Sequence, residues 1–291
     1  MESSQRTRTR FTFRGVPRLA YDPGQPERSR PDTLPVLALH DLLADRASVV
    51  RWLAAQAEQR RLIAPDARGH GASASLANQW YSVAELAADA LAILDAEEIA
   101  TCHVIGHGLG GATAVELARR SPERVRSLIL LEPAIYAVLD TDPDPAVRAA
   151  RQDLRTADRS AGDFAYKGQT DKALDAYLAP RWGSDWRARV ARPRLAALYR
   201  HAGALAALLP ALDAYSLDPA DAAGITVPTL ILVGEGDAVP QLASARLATV
   251  LPHARITRLP GRLSLDGISE ETEAAIGAAL ENFLSALDSE A

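Results

Sequence analysis

The feature that most constrains this 291-residue chain is an alternation of short apolar runs with segments of helical pattern. Most of the runs are almost continuously apolar, which is typical of parallel strands that are covered on both faces. Strands that alternate with helices predict an α/β fold with a mostly parallel central sheet and right-handed crossovers. The predicted strands are residues 34–39, 61–65, 101–106, 125–133, 228–234 and 254–260, and segments 9–15 and 18–24 predict an antiparallel pair before them.

Helices are expected between the strands, over residues 46–60 and 81–95 and from about Glu270 to Leu287. Each of these segments repeats apolar side chains at helical spacing. Ser82 and Glu85 stand three residues apart at the start of the second segment, which is the spacing of a capping box.

Residues 135–224 break the alternation, because they are helical in pattern and carry no strand signal. We interpret them as an inserted helical cap, with residues 1–134 and 225–291 forming the core. Two roles are open for the aromatic residues of this stretch: they either join cap to core or line a ligand cavity. These residues are Tyr136, Phe164, Tyr166, Tyr177, Trp182, Trp186, Tyr199 and Tyr215.

Composition excludes several classes of partner. The net charge of -5 argues against a nucleic-acid partner, since the chain has no basic surplus to replace counterions. No uncharged apolar run approaches the roughly 18 residues of a membrane span, so we expect a cytoplasmic protein without a membrane partner. No dinucleotide, Walker or zinc motif occurs, so no cofactor is expected. The oligomeric state stays open.

Four stretches together resemble the α/β-hydrolase superfamily. They are "LALHDLL" at 37–43, "APDARGHGASA" at 64–74, "VIGHGLGG" at 104–111 and "LILVGEGDAVP" at 230–240. The second matches a D-x-R-G-H-G-x-S loop, here Asp66, Arg68, Gly69, His70, Gly71 and Ser73. The third has the frame of a nucleophile elbow, a sharp strand-to-helix turn. The resemblance implies an α/β-hydrolase fold.

The same resemblance implies where a catalytic triad would lie, and this chain departs from it twice. The nucleophile position falls on Gly108, which has no side chain, and the histidine position falls on Arg262. The acid position falls on Asp237. Serine-type acyl transfer needs a nucleophile and a base, so a degenerate triad of Gly108, Asp237 and Arg262 is not expected to perform it.

A further departure concerns the oxyanion site. The His-Gly of the superfamily is here His40-Asp41. The resemblance implies that the backbone N–H groups of Leu42 and Leu109 form the two arms of an oxyanion hole. Asp41 would place a negative charge beside them, which opposes oxyanion stabilisation.

Several other polar residues are weighed for chemistry. Asp41, Asp237 and His107 are the candidates for a catalytic role, although His107 also fits a packing role beneath the turn. Glu132 follows a predicted strand and is either a second carboxylate of the site or a structural contact. Ser73, His40 and His70 are interpreted as loop-bracing residues.

Three functions remain open. The first is a hydrolase-like pseudoenzyme that binds a small organic molecule between core and cap, with Gly108 enlarging the floor of the cleft. The second is an enzyme of another type, such as a lyase, cyclase, isomerase or atypical hydrolase, that uses Asp41, Asp237 or His107 for acid–base work. The third is a structural or interaction protein. The sequence identifies neither the ligand nor the cap side chains that contact it.

Overall fold

A computed structural model describes residues 9–13, 18–25, 33–73, 81–236, 238–263 and 269–289 of the chain. Within them lie eight strands: β1 (Arg10–Phe13), β2 (Arg18–Asp22), β3 (Val36–Leu39), β4 (Leu62–Pro65), β5 (Cys102–His107), β6 (Val125–Leu131), β7 (Thr229–Val233) and β8 (Ala254–Arg258). They form one sheet in the order β1-β2-β4-β3-β5-β6-β7-β8.

The pairing of these strands confirms the predicted mostly parallel sheet. β1 pairs antiparallel with β2, and β2 pairs antiparallel with β4. All remaining pairs, from β4 through β8, are parallel. The carboxyl ends of six strands therefore meet at one edge of the sheet, which is where α/β proteins place their ligands.

Alternating side chains of the central strands supply two hydrophobic cores. Leu128 and Leu130 belong to the core on one face of the sheet, whereas Ile129 and Leu131 belong to the core on the other face. Successive side chains of a strand point to opposite faces, so a strand covered on both sides must be apolar throughout. This explains why the sequence shows unbroken apolar runs.

Twelve α-helices occur in the described residues: α1 (Arg46–Trp52), α2 (Ala54–Ala57), α3 (Val83–Ala96), α4 (Leu109–Arg120), α5 (Pro145–Tyr166), α6 (Thr170–Trp182), α7 (Trp186–Arg189), α8 (Arg192–His201), α9 (Leu205–Ala214), α10 (Pro219–Gly224), α11 (Ala238–Val250) and α12 (Glu270–Asp288). The predicted capping box of Ser82 and Glu85 begins α3.

One predicted helix is wrong in its continuity. Residues 46–60 form two short helices, α1 and α2, because Leu53 leaves the helical region with φ -102° and ψ 19°. α1 packs on β3 and β4, and both α1 and α2 pack on α12. The break leaves α1 against the sheet, and Leu53 itself stays buried.

Helices α5 to α10, residues 145–224, lie between β6 and β7 and are called the helical segment below. No strand interrupts residues 132–228, all of which are described. Most buried apolar side chains of the segment form a separate hydrophobic cluster, which also contains Leu42, Leu43 and Leu109 from the core. The segment therefore packs over the loop after β3 and the start of α4.

By length and composition, one helical stretch of the described residues, Arg192–Ala214, could cross a membrane. Its mean hydropathy is 1.4. A short 3-10 turn at Ala202–Ala204 interrupts it, and Leu198, Leu205 and Leu208 are fully buried in the helical segment. Core helices have the same composition, so this stretch is part of the packed segment.

A buried polar pair lies at the amino ends of β5 and β6. His103 Nδ1 is 2.8 Å from Ser127 Oγ, and both side chains are buried. Burial, reinforced by the Arg60 cation, lowers the pKa of His103 to about 4. The neighbouring Cys102 thiol is buried too, and burial raises its pKa to about 12, consistent with the expected role of a small core residue.

The depressed pKa of His103 predicts a loss of stability in acid. In the unfolded chain this side chain titrates near 6.5, so the unfolded state takes up its proton first as the pH falls. The stabilisation from neutral His103 is therefore present above pH 6.5 and declines by about 3 kcal/mol between pH 6.5 and pH 4. Urea unfolding across this range should show that His103→Gln has a shallower decline than the unaltered chain. His253→Gln, at an exposed histidine before β8, is the matched control and should keep the full slope. Equal slopes for both variants would contradict the assignment.

Candidate functional site

The turn between β5 and α4 has the geometry of the predicted elbow. Gly108 adopts φ 50° and ψ -110°, a conformation that L side chains rarely adopt. A Cβ on Gly106 would lie 2.3 Å from Gly110 O, and a Cβ on Gly110 would lie 2.2 Å from Leu39 O. The glycines of "GHGLGG" therefore permit β3, β5 and α4 to approach one another closely.

The side chain of Asp41 fills the space beside Gly108. A Cβ built on Gly108 would lie only 1.8 Å from Asp41 Oδ1 and 2.3 Å from its Cγ. The expectation that Gly108 enlarges the floor of the cleft is therefore corrected. The space released by the missing side chain is occupied by a carboxylate from the end of β3.

One arm of the expected oxyanion hole is also taken by Asp41. The Leu109 N–H donates to Asp41 Oδ1 at 2.8 Å. This N–H lies at the start of α4, where the helix dipole favours a negative charge. For Leu42, the other expected arm, no acceptor of the N–H is found among the described residues.

Two buried histidines hold the loop that carries Asp41. The Ala67 N–H donates to His40 Nε2 at 2.9 Å, so the ring hydrogen of His40 lies on Nδ1 and donates to Asp41 O at 2.7 Å. The Leu43 N–H donates to His70 Nε2 at 3.1 Å. These bonds bear out the expected loop-bracing role of His40 and His70. Burial, with His40 and His201 nearby, holds the pKa of His70 well below its usual value, which keeps it neutral.

A third histidine, which sequence reasoning missed, joins the helical segment to the same loops. His201 ends α8, and its Nε2 accepts the Gly71 N–H at 3.2 Å. The His70 ring centroid lies 5.1 Å from that of His40 and 5.2 Å from that of His201. The position of α8 over the site is therefore tied to the D-x-R-G-H-G-x-S loop.

Above Gly108 lies a cavity of about 640 Å³, a size typical of small-molecule sites. Leu42, Gly108 and residues of the helical segment line it, but Leu109 does not. Eight charged residues border the space, in addition to its apolar and aromatic lining. They are Asp41, Asp45, Arg51, Glu132, Asp158, Arg181, Arg194 and Glu273.

The aromatic residues of stretch 135–224 divide between the two predicted roles. Tyr136, Tyr177 and Trp182 line the cavity. Trp186 is buried, and its Nε1–H donates to Asp175 at 3.0 Å. Tyr215 donates to Glu116 of α4 at 3.3 Å and so joins the segment to the core. Tyr166 and Tyr199 are exposed.

The His107 side chain lies at the cavity wall rather than in the turn itself. Its ring packs edge-to-face on Trp52 with the centroids 5.0 Å apart. Nδ1 is buried and has no hydrogen-bond partner in the described part of the chain. Burial lowers the pKa of His107 although Asp41 opposes this, so the ring is neutral at pH 7.

Glu132 lies at the carboxyl end of β6 and also faces the cavity. Its φ of 42° is unusual for a residue with a side chain, and such conformations concentrate at functional sites. Its Oε1 accepts the Gly234 N–H at 3.0 Å, which connects the ends of β6 and β7. The carboxylate therefore has a structural contact, and its position also fits the alternative role in the site.

The helical segment contributes two cations that sequence reasoning did not single out. Arg181 forms an ion pair with Asp158 at 2.7 Å and lies 4.0 Å over the Tyr177 ring. Arg194 of α8 donates to Leu43 O at 2.9 Å, and no carboxylate of the described residues lies within 4.0 Å of it. No periodic pattern marks these arginines in an arginine-rich sequence.

Of the predicted acid and histidine positions, the structure describes only the second, Arg262. Asp237 lies outside the described residues. Arg262 is exposed, and its Cγ lies 3.2 Å from a Cβ built on Gly236, so its side chain crosses the residue just before Asp237. We predict an ion pair between Arg262 and Asp237, because a guanidinium is able to bind a carboxylate through two hydrogen bonds. Ser73 is a loop brace, since its hydroxyl donates to Asp66 O and accepts the Ala20 N–H.

The His103–Ser127 pair is not part of the cavity, because it lies at the opposite ends of the strands. Among the described residues, no cluster of three or more histidine, cysteine or acidic side chains is placed to hold a metal ion.

Comparison with known proteins decides the family. The sequence model of the alpha/beta hydrolase fold family matches residues 35–261 of this chain. The chain belongs to this family. The fold of this α/β hydrolase is similar to that of a solved hydrolase from Pseudomonas aeruginosa PA01. The two structures superpose with a TM-score of 0.74, and the sequences are 25% identical. The match covers 95% of this chain and 98% of that one.

Two relatives of this α/β hydrolase carry a functional name. "Putative carbamate hydrolase RutD" of Variovorax paradoxus is 35% identical over 206 residues, which is 69% of this chain and 73% of that protein. The protein of the same name from Pseudomonas syringae is 31% identical over 202 residues, 67% of this chain and 72% of that protein.

The contact between Asp41 and Gly108 predicts an energetic coupling. Gly108→Ala should lower the free energy of unfolding by about 2 to 4 kcal/mol, because φ is positive and Asp41 must release the Leu109 N–H. In an Asp41→Ala background the same change should cost about 1 to 3 kcal/mol less, since only the backbone strain remains. Urea unfolding of the four proteins measures this coupling.

The matched control is Gly277→Ala in α12, where an added Cβ meets nothing within 4 Å. It should leave stability unchanged or raise it by up to about 1 kcal/mol. Additive effects of the changes at 41 and 108 would show that the carboxylate does not occupy this space.

Proposed function

We propose that this α/β hydrolase binds a small organic molecule in the cavity above Gly108 and forms no acyl-enzyme at this turn. The observation that carries the proposal is the Asp41 carboxylate, which fills the place of a residue-108 side chain below an open cavity of about 640 Å³. A site built this way keeps space for a ligand but has no nucleophile at the elbow.

The absence of serine-type chemistry rests on three residues. Gly108 has no oxygen or sulfur to acylate. Arg262, at the expected histidine position, has a guanidinium group that only donates hydrogen bonds and offers no acceptor for a serine proton. The Leu109 N–H already donates to Asp41, so it is not free to stabilise an oxyanion. We therefore infer a degenerate triad, with Asp237 as its remaining member.

The helical segment completes the proposed site. We propose that residues 135–224 act as a cap over the carboxyl ends of the strands, with residues 1–134 and 225–291 as the core. Tyr136, Tyr177 and Trp182 supply apolar contact from the cap. We further propose a cytoplasmic location and a free small-molecule ligand as the partner.

A second function is favoured by the free face of Asp41 and by the named relatives. Asp41 borders the cavity, and a carboxylate there is able to accept a proton from an attacking water. Hydrolysis of a carbamate would then proceed without a covalent intermediate. Incubation with a simple alkyl carbamate tests this, because ammonia release that Asp41→Asn abolishes would support the enzyme over the binding protein.

Activity-based labelling tests the loss of acyl-enzyme chemistry. The unaltered chain should not react with a fluorophosphonate probe, whereas a serine hydrolase with an intact triad in the same assay should. Gly108→Ser alone should gain little, because the serine side chain competes with Asp41 for space and has no base. Gly108→Ser with Asp41→Gly and Arg262→His should label measurably. Covalent labelling of the unaltered chain would contradict the proposal.

Native mass spectrometry tests the binding function. The purified chain should carry a small molecule that dissociates on denaturation, and Ala197→Trp should lose it, since Ala197 lines the cavity on α8. Ala196→Trp is the matched control, because the neighbouring residue is exposed and should retain the ligand. A chain without any such ligand, or a ligand that Ala197→Trp keeps, would argue against the cavity as the binding site.

A further inference from the structure

Asp41 presents an unused hydrogen-bond acceptor to the cavity. Its Oδ1 accepts the Leu109 N–H at 2.8 Å, and its backbone oxygen accepts from His40 and from the Ala44 N–H. For Oδ2, no donor is found among the described residues. Asp41 is thus held through Oδ1 and through its backbone oxygen, and the residue lines the open cavity.

Arg194 presents unused donors to the same cavity. Within the described residues its one hydrogen bond runs from Nη1 to Leu43 O at 2.9 Å, which leaves most of its five N–H groups without a partner there. Leu43 stands two residues after Asp41 in the same loop, and the buried His70 holds that loop in place. Burial lowers the pKa of Arg194, while Asp41 and Asp45 act in the opposite direction.

Asp41 and Arg194 line the same cavity but are not paired with each other. No nitrogen of Arg194 lies within 4.0 Å of an oxygen of Asp41. The cavity therefore offers a ligand two charged contacts of opposite sign, which are separated by a gap.

The six other charged residues that line the cavity are held by a partner, lie at a helix start or face solvent. Glu132 accepts the Gly234 N–H, and Glu273 lies in the first turn of α12, where the helix dipole stabilises a negative charge. Arg181 and Asp158 neutralise each other at 2.7 Å. Asp45 caps α1 by accepting the Ser48 N–H, and Arg51 is exposed. A purely anionic ligand would meet the repulsion of Asp41, and a purely cationic ligand would leave Arg194 without a counterion. A ligand with both charges avoids each cost.

We propose that the ligand is a small zwitterion with an amine that pairs with Asp41 and a carboxylate that pairs with Arg194. The inference rests on the proposed binding function and specifies the chemical class of the ligand. Charge-assisted hydrogen bonds at both ends fix the orientation of the molecule, and the aromatic side chains of Trp52, Tyr136 and Trp182 surround its apolar part.

Calorimetric titration with a graded series of probes tests the inference. The probes are glycine, β-alanine, 4-aminobutanoate, 5-aminopentanoate and 6-aminohexanoate, so that the charge separation varies. Each is compared with its N-acetyl derivative, its primary amide and the doubly blocked compound. At least one chain length should bind, and blocking either end should weaken its Kd by about 10- to 100-fold.

Two variants assign the ends of the ligand. Asp41→Asn should abolish the discrimination between the free amine and its N-acetyl derivative, while keeping an acceptor for the Leu109 N–H. Arg194→Gln should abolish the discrimination between the carboxylate and its amide. Arg200→Gln on the same helix and Asp163→Asn on α5, both at exposed positions, are the matched controls and should bind as the unaltered chain does.

Each outcome decides the inference. Equal binding of the doubly blocked compound would overturn it but leave the proposed binding function intact. Discrimination that persists in Asp41→Asn or Arg194→Gln would overturn the assigned contacts. Binding of no probe at any chain length would overturn the zwitterion, whereas the binding function is judged separately by the ligand that Ala197→Trp removes.

Discussion

The contact between the Asp41 carboxylate and the Leu109 N–H is the interaction on which the site depends. It joins the end of β3 to the start of α4 across Gly108, residues that lie 68 positions apart in the chain. A charge at a helix N-terminus is stabilised by the helix dipole and by the free N–H groups there. The α/β-hydrolase turn thus keeps its anion-binding character, but in this protein the anion is part of the chain.

The loops around this contact are rigid for reasons that involve no catalysis. His40, His70 and His201 each accept a backbone N–H from a neighbouring loop, and all three are buried. A ring nitrogen that accepts such a bond carries no hydrogen. Protonation of that nitrogen in acid would therefore break the hydrogen bond. The helical segment, the D-x-R-G-H-G-x-S loop and the loop of Asp41 are therefore fixed relative to one another at neutral pH.

The sequence predicted what short-range patterns encode. Apolar runs placed all six parallel strands, and the glycines at 106, 108 and 110 placed the strand-to-helix turn. The position of Asp41 was signalled only by two departures from the superfamily pattern, at 41 and 108, whose complementarity depends on packing between distant segments. Arg194 gave no signal, because its bond to Leu43 spans 151 residues and joins an element whose placement no periodicity encodes. The break at Leu53 was missed for the same reason, since the packing of α1 on β3 and β4 is not encoded in the local pattern.

The complementarity of Gly108 and Asp41 also determines the order in which chemistry can be restored. A side chain at 108 and a carboxylate bonded to the Leu109 N–H compete for one space, so neither position is altered independently. If a hydroxyl is restored at residue 108 before residue 41 is changed, the new side chain displaces Asp41 into the cavity. A charge then lies where a substrate would bind. Removing Asp41 first frees the Leu109 N–H for an oxyanion and leaves Gly108 without strain. The productive order therefore begins at residue 41, although the missing nucleophile is at residue 108.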